Sequence, residues 1–135
     1  MRTIDRRECA AFGRSPKMAL RLGLRASCAA WTGFVGDRPA AMFGVTPINA
    51  IEGRGMAWLL GTDEVLDCAR ELIGVGPAVI DAMHRRFKRL ENMVSTENRA
   101  AIRLLRHWGF EVGKETMTVG GVEFRPFWRE AGRDV

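Results

Sequence analysis

The chain has 135 residues, 47% of them hydrophobic, and a formal net charge of +5. That is enough length and apolar content for one domain with its own core, and too much for a disordered polar chain. No apolar run reaches the roughly 20 residues of a membrane span, and the charged start MRTIDRREC does not read as a signal peptide. Cys9, Cys28 and Cys68 lack disulfide or metal-ligand spacing, so they read as buried thiols of a reducing compartment, and no metal site is expected. The positive charge favours a phosphate-rich partner. However, the arginines are scattered, and the groups Arg6-Arg7 and Arg85-Arg86-Lys88-Arg89 read as solvated helix faces. No nucleic-acid-binding motif accompanies them, so charge alone does not argue for such a partner.

Along the chain, Thr3 to Phe12 reads as a short helix with Ile4, Ala11 and Phe12 inward and Gly13 closing it. Ser15-Pro16 opens a second helix, Ser as N-cap and Pro where its missing N–H costs nothing, with apolar positions at Met18, Leu20, Leu22 and Leu24. Cys28 to Val35 is a strand, Gly36 to Pro39 a tight turn, Ala40 to Thr46 the returning strand and Pro47 to Gly53 a loop. The apolar run Gly55 to Leu60 has the pattern of a central strand covered on both faces. Asp63 to Ile73 reads as a short helix capped by Thr62 or Asp63. Gly74-Val75-Gly76-Pro77 reads as a break, and Pro77 as the first turn of another helix reaching Arg89, with Val79, Ile80, Met83 and Phe87 on its apolar face.

Leu90 to Val112 carries the clearest local signals. Leu90, Met93 and Val94 give a strand, and Ser95 to Asn98 supply capping residues. From Arg99, the positions Ala101, Leu104, Leu105 and Trp108 recur at the spacing of one helical face, with Arg99, Arg103 and Arg106 opposite. Gly109 and Phe110 then fit a Schellman stop. Strands at Thr116 to Val119 and Val122 to Phe127 flank a Gly120-Gly121 turn. Residues 1–128 form the expected domain, and Arg129 to Val135 read as a frayed tail.

The run from Asn98 through Ala101 to Gly109-Phe110 resembles the signature of the GNAT acetyltransferase superfamily. Ser15-Pro16 with Ala19-Leu20, Ala40 to Val45, Trp58 to Thr62, Leu90-Glu91-Asn92 and Trp108-Gly109-Phe110 together resemble its tailed-phage branch, which includes the internal virion protein A family. The resemblance covers nearly the whole chain. It implies an α/β fold, a mixed central sheet with helices on both faces, in which the superfamily's first strand is missing from the front of this chain. It also implies acetyl-CoA as cofactor and an amine as acceptor, in the cytoplasm of a bacterial host. The alternative it carries is a non-catalytic virion or assembly protein, with other virion proteins as partners.

By the same resemblance, the backbone at Trp58, Leu59 and Leu60 would hold the pantetheine arm and thioester. Gly74 and Gly76 would form the pyrophosphate loop, with Gly61-Thr62 as a rival cradle, although Glu71 stands where the superfamily has Gln or Arg. Asn98 would lie beside the cofactor or serve as a helix cap. The superfamily's usual catalytic groups are not matched. The chain has no tyrosine to act as general acid, and Arg54 to Leu60 holds no carboxylate or imidazole. Glu8, Glu52, Asp63 and His84 remain as candidate bases, each of which also suits a surface or capping role.

Overall fold

The computed structural model describes the backbone of residues 2–35, 38–61 and 69–132. Its elements are α1 (Thr3–Ala11), α2 (Pro16–Ala26), β1 (Ala29–Val35), β2 (Arg38–Asn49), β3 (Arg54–Gly61), α3 (Ala69–His84), β4 (Arg89–Ser95), α4 (Arg99–His107), β5 (Glu111–Val112), β6 (Met117–Val119) and β7 (Val122–Glu130). The strands form one seven-stranded sheet of order β1-β2-β3-β4-β7-β5, with β6 also paired to β7. Every pairing is antiparallel except that of β3 with β4. Among the described residues no strand precedes α1, and β1 lies at the sheet edge.

Local chemistry sets several of these boundaries. The Met18 N–H donates to Ser15 Oγ at 3.2 Å, so Ser15 caps α2 and Pro16 takes its first position. Past α4, Phe110 N–H reaches Leu105 O at 2.9 Å and Gly109 N–H reaches Arg106 O at 3.1 Å. Gly109 has φ 84°, which completes the Schellman stop. Gly120 and Gly121, at φ 54° and 78°, supply the two left-handed residues of a tight hairpin between β6 and β7.

Alternation along β2 turns Ala41, Phe43 and Val45 to one face of the sheet, where they pack with Ala57, Ile80, Met83, Phe87, Leu90, Phe110 and Phe127 in the main core. On the other face Trp58 lies across Gly44, where a Cβ would meet the indole at 2.4 Å. The Trp58 indole N–H donates to Ser27 Oγ at 2.7 Å, just past the end of α2, and Ser27 Oγ lies 3.2 Å from Thr46 Oγ1. Helices therefore cover both faces.

At one end of β3, β4 and β7, charged groups fasten the strands together. Glu91 accepts from Arg54, and from Arg89 at 2.7 Å; Arg89 also donates to Glu130 at 3.0 Å and stands 5.5 Å over the Trp128 ring. Hydrogen bonding from Arg54, and secondarily from Arg89, holds the Glu91 carboxyl below the usual carboxylate range.

Several elements depart from the sequence reading. β2 runs from Arg38 to Asn49 rather than ending at Thr46. It accommodates Pro47 beside a register shift, where a ladder N–H is not needed. Phe12 falls past the end of α1 and is half exposed rather than inward, and the apolar positions Met18 and Leu22 of α2 are 50% and 41% exposed. β7 continues past the expected boundary at 128. Arg129 is buried, donates to Trp108 O at 3.0 Å and pairs with Leu90, so the frayed-tail reading fails there.

The largest difference is α3, one helix through Gly74-Val75-Gly76-Pro77 where a break was expected. It ends at His84, leaving Phe87 buried in the turn before β4 rather than on a helix. Pro77 cannot donate to the carbonyl four residues earlier, that of Ile73. That carbonyl accepts the Trp108 indole N–H at 3.4 Å. Gly76 is buried beneath the same indole. A tertiary donor thus replaces the helical one that proline removes.

Candidate active site

β3 and β4 pair only at Arg54/Arg89, Gly55/Leu90 and Met56/Glu91. Beyond Met56 and Glu91 the strands part, and the Asn92 amide crosses the gap to Ala57 O at 2.9 Å. The parting opens a cleft of about 600 Å3. Ala57 and Leu59 face opposite sides of the sheet from Met56, Trp58 and Leu60, yet all of them line it. The cleft therefore passes through the sheet between the diverging strands. On the edge facing β4, the backbone of β3 beyond Ala57 has no strand partner among the described residues.

Helices α1 and α4 close the cleft near the end of β4. Asn98 is buried at the N-terminus of α4, and its two amide ends are used differently. Oδ1 accepts the Ala101 N–H at 3.4 Å, which caps the helix. Nδ2 donates at 2.8 Å to Oε1 of Glu8 on α1.

Burial pushes the Glu8 carboxyl above the usual carboxylate range. The Asn98 hydrogen bond opposes that rise, neighbouring Asp5 adds to it, and Arg2 and a backbone bond at Ser95 work against it. Asp5 is itself held by Arg2 at 2.8 and 3.0 Å. Next to Glu8, Cys9 is buried and its thiol is pushed up, first by burial and then by Asp5 and Glu8. This is the environment of an inert thiol rather than a nucleophile.

The sequence candidates divide accordingly. Trp58, Leu59, Leu60, Asn98 and Glu8 all line the cleft. Gly76 also reaches its wall, but inside α3, where its N–H belongs to the helix ladder; Gly74 sits exposed on the same helix. The expected Gly74–Gly76 loop is therefore absent. Glu52 is on the β2–β3 turn, ion-paired with Arg54, and does not line the cleft. His84 is at the end of α3, its Nδ1 2.9 Å from Phe87 O, and is likewise outside it. Gly61 ends β3, whereas Thr62 and Asp63 lie outside the described residues. Asn92 escaped selection because its role depends on where two strands separate, which no local pattern encodes. Among the described residues no group of His, Cys, Asp and Glu could hold a metal ion, and no helix is long and apolar enough to cross a membrane.

Asn98→Ala removes the cap and takes away the side-chain donor to a buried carboxyl. We expect chemical denaturation to show a loss of about 1–2 kcal/mol, with the Glu8 carboxyl rising further.

No protein-family model matches the sequence, and no curated protein matches it. Solved structures do match in three dimensions. RimL, a ribosomal-protein alpha-N-acetyltransferase in complex with coenzyme A, aligns at TM-score 0.64 and 16% identity, over 82% of this chain and 66% of that one. A Bacillus subtilis acetyltransferase in complex with CoA aligns at 0.65 and 12%, over 85% and 84%. A GNAT-family acetyltransferase from Streptococcus pneumoniae aligns at 0.62 and 14%, over 84% and 74%. The chain has the GNAT fold. The spermidine N-acetyltransferase of Vibrio cholerae, in complex with CoA and spermine, shares the GNAT fold at TM-score 0.60 and 16% identity, over 83% of this chain and 70% of that one.

Proposed function

We propose that this protein is an N-acetyltransferase that moves an acetyl group from acetyl-CoA to an amine in the cleft between β3 and β4. The observation that carries this reading is the parting of the strands after Met56 and Glu91. It creates an apolar slot with an unpaired strand edge along one wall. A slot of this size suits a flexible, amide-containing arm, because the strand edge offers the donors and acceptors that such an arm needs. Trp58, Leu59 and Leu60 would hold it, with Ala101 and Leu105 of α4 opposite. When bound, acetyl-CoA supplies an activated acetyl group as a thioester.

The chain's own groups would do the rest. A backbone N–H on the β3 edge would stabilise negative charge on the carbonyl oxygen. Glu8, as the carboxylate, would take the proton from the attacking amine. The lack of tyrosine does not block the reaction, since a leaving thiolate of pKa about 8.5 needs less help from a proton donor than an alkoxide. The thiols Cys9 and Cys28 fit a cytoplasmic setting.

Calorimetric titration with acetyl-CoA tests the reading. We expect micromolar binding by the wild type, and at least a tenfold loss (about 1.4 kcal/mol) in Ala101→Phe, which fills the cleft from α4. A folded wild type that ignores millimolar acetyl-CoA would defeat it. The phage-type assembly role, a GNAT fold without turnover, would then stand in its place.

A further inference from the structure

We propose that the acceptor is the terminal α-amine of an acidic peptide or protein segment, with its amine at Glu8 and its carboxylates along α2. This inference rests on the acetyltransferase reading above. Its first support is the mouth of the cleft. Leu22 belongs both to the cleft wall and to a shallow groove along α2 lined by Lys17, Met18, Arg21 and Arg25. Lys17, Arg21 and Arg25 recur every four residues and so share one helix face, while Arg14 stands at the cleft itself. All four cations are exposed, and no carboxylate among the described residues pairs with them. The sequence contains no Asp or Glu between Glu8 and Asp37. The approach to the cleft is therefore a basic collar, and Phe12, Met18 and Leu22 add exposed apolar surface to it.

Such a collar selects against a polycationic amine. Among the described residues that line the cleft, Asp5 and Glu8 alone are acidic, and Asp5 is bound by Arg2. A polyamine could place one nitrogen at Glu8, but its remaining charges would face Arg14, Lys17, Arg21 and Arg25. An acidic chain reverses the sign of those contacts, and its side chains could cover the exposed apolar residues.

The second support comes from proton transfer. A carboxylate is a weak base for an ammonium ion. An α-amine, with pKa about 7.7–8.0, gives up its proton far more readily than a lysine or alkyl amine near 10.4. At neutral pH its neutral fraction is larger by roughly two orders of magnitude. A site whose base is a glutamate is thus matched to a terminal amine.

The test compares two short free-amine peptides of equal length, one glutamate-rich and one with arginine at the same positions, together with spermidine. Thiol release from acetyl-CoA is the readout. We expect the acidic peptide to have a kcat/KM higher by roughly tenfold or more at low salt, with the advantage shrinking as salt is added. The double variant Arg21→Glu, Arg25→Glu should invert the preference and leave acetyl-CoA affinity, measured by calorimetry, unchanged. Equal or better turnover of the arginine peptide or spermidine, with acetyl-CoA bound normally, would overturn the acceptor inference alone. Failure to bind acetyl-CoA would overturn both readings. Capture on phosphatidylglycerol vesicles without any peptide preference would assign the collar to lipid and overturn the inference.

Discussion

Glu8→Gln is expected to lower kcat by about 10²–10⁴-fold while leaving acetyl-CoA affinity intact and making the folded protein more stable at neutral and alkaline pH. The amide keeps an oxygen that can accept from Asn98 Nδ2, so the contact between α1 and α4 survives. What it removes is a carboxyl that must lose its proton in a buried setting. Because burial raises the folded-state pKa above the unfolded value, the native state holds this proton more tightly. The stabilising contribution is complete below the unfolded pKa and is lost as pH rises through the folded one. Wild type should therefore lose stability relative to Glu8→Gln across that window, starting at the ordinary carboxylate range and ending above it. Thermal melts of both proteins from mildly acid to mildly alkaline pH would show this. Activity should run the other way, rising as the carboxyl ionises. A residue kept only for structure would not yield a variant that is both more stable and less active. Parallel pH–stability curves would remove Glu8 from the role of base.

The parts of the fold legible in the sequence are those in which neighbouring residues set the backbone. Ser15-Pro16, the Asn98 cap, the Gly109-Phe110 stop and the Gly120-Gly121 turn each satisfy or redirect a few adjacent groups, and each occurs where expected. What could not be read was decided by partners far along the chain. α2 shows its apolar positions Met18 and Leu22 to solvent at the mouth of the cleft, which their residue type alone does not announce. The end of β7 is held by β4, with Ala131 N–H donating to Lys88 O at 2.7 Å, so its charged sequence resembled a tail.

The site follows the same division. Resemblance pointed to Trp58, Leu59 and Leu60, which do line the cleft, but nothing local separated Glu8 from Glu52 or His84. What singles Glu8 out is a bond to Asn98, a residue 90 positions away. The Gly-Val-Gly-Pro run has the composition of a loop, and local propensity favours one. Its helical state depends on Trp108, whose indole occupies the space above Gly76 and fills the carbonyl that Pro77 leaves without a donor.

That dependence gives opposite expectations for two glycines in one helix. Gly74 is exposed, and a Cβ there would meet nothing within 4 Å. Gly74→Ala should stabilise the protein by about 0.5–1 kcal/mol, the ordinary gain from replacing glycine in a helix. At Gly76 the same propensity gain is available, but a Cβ would lie 2.1 Å from Trp108 Cε2 and Nε1. A rigid indole cannot yield as the tip of a flexible side chain would. It must swing away, losing its bond to Ile73 O and its packing against the main core. Overpacking of this kind costs about 1–3 kcal/mol, and the lost hydrogen bond about 1 kcal/mol more. Packing outweighs propensity, and Gly76→Ala should be destabilised by roughly 1–3 kcal/mol. Denaturation midpoints of the two variants, measured side by side, decide the matter. If both alanines stabilise, Trp108 does not seat on α3. If Gly74→Ala instead weakens acetyl-CoA binding without lowering stability, the backbone at Gly74 serves the cofactor after all, and the helical state of this run is not the one that binds.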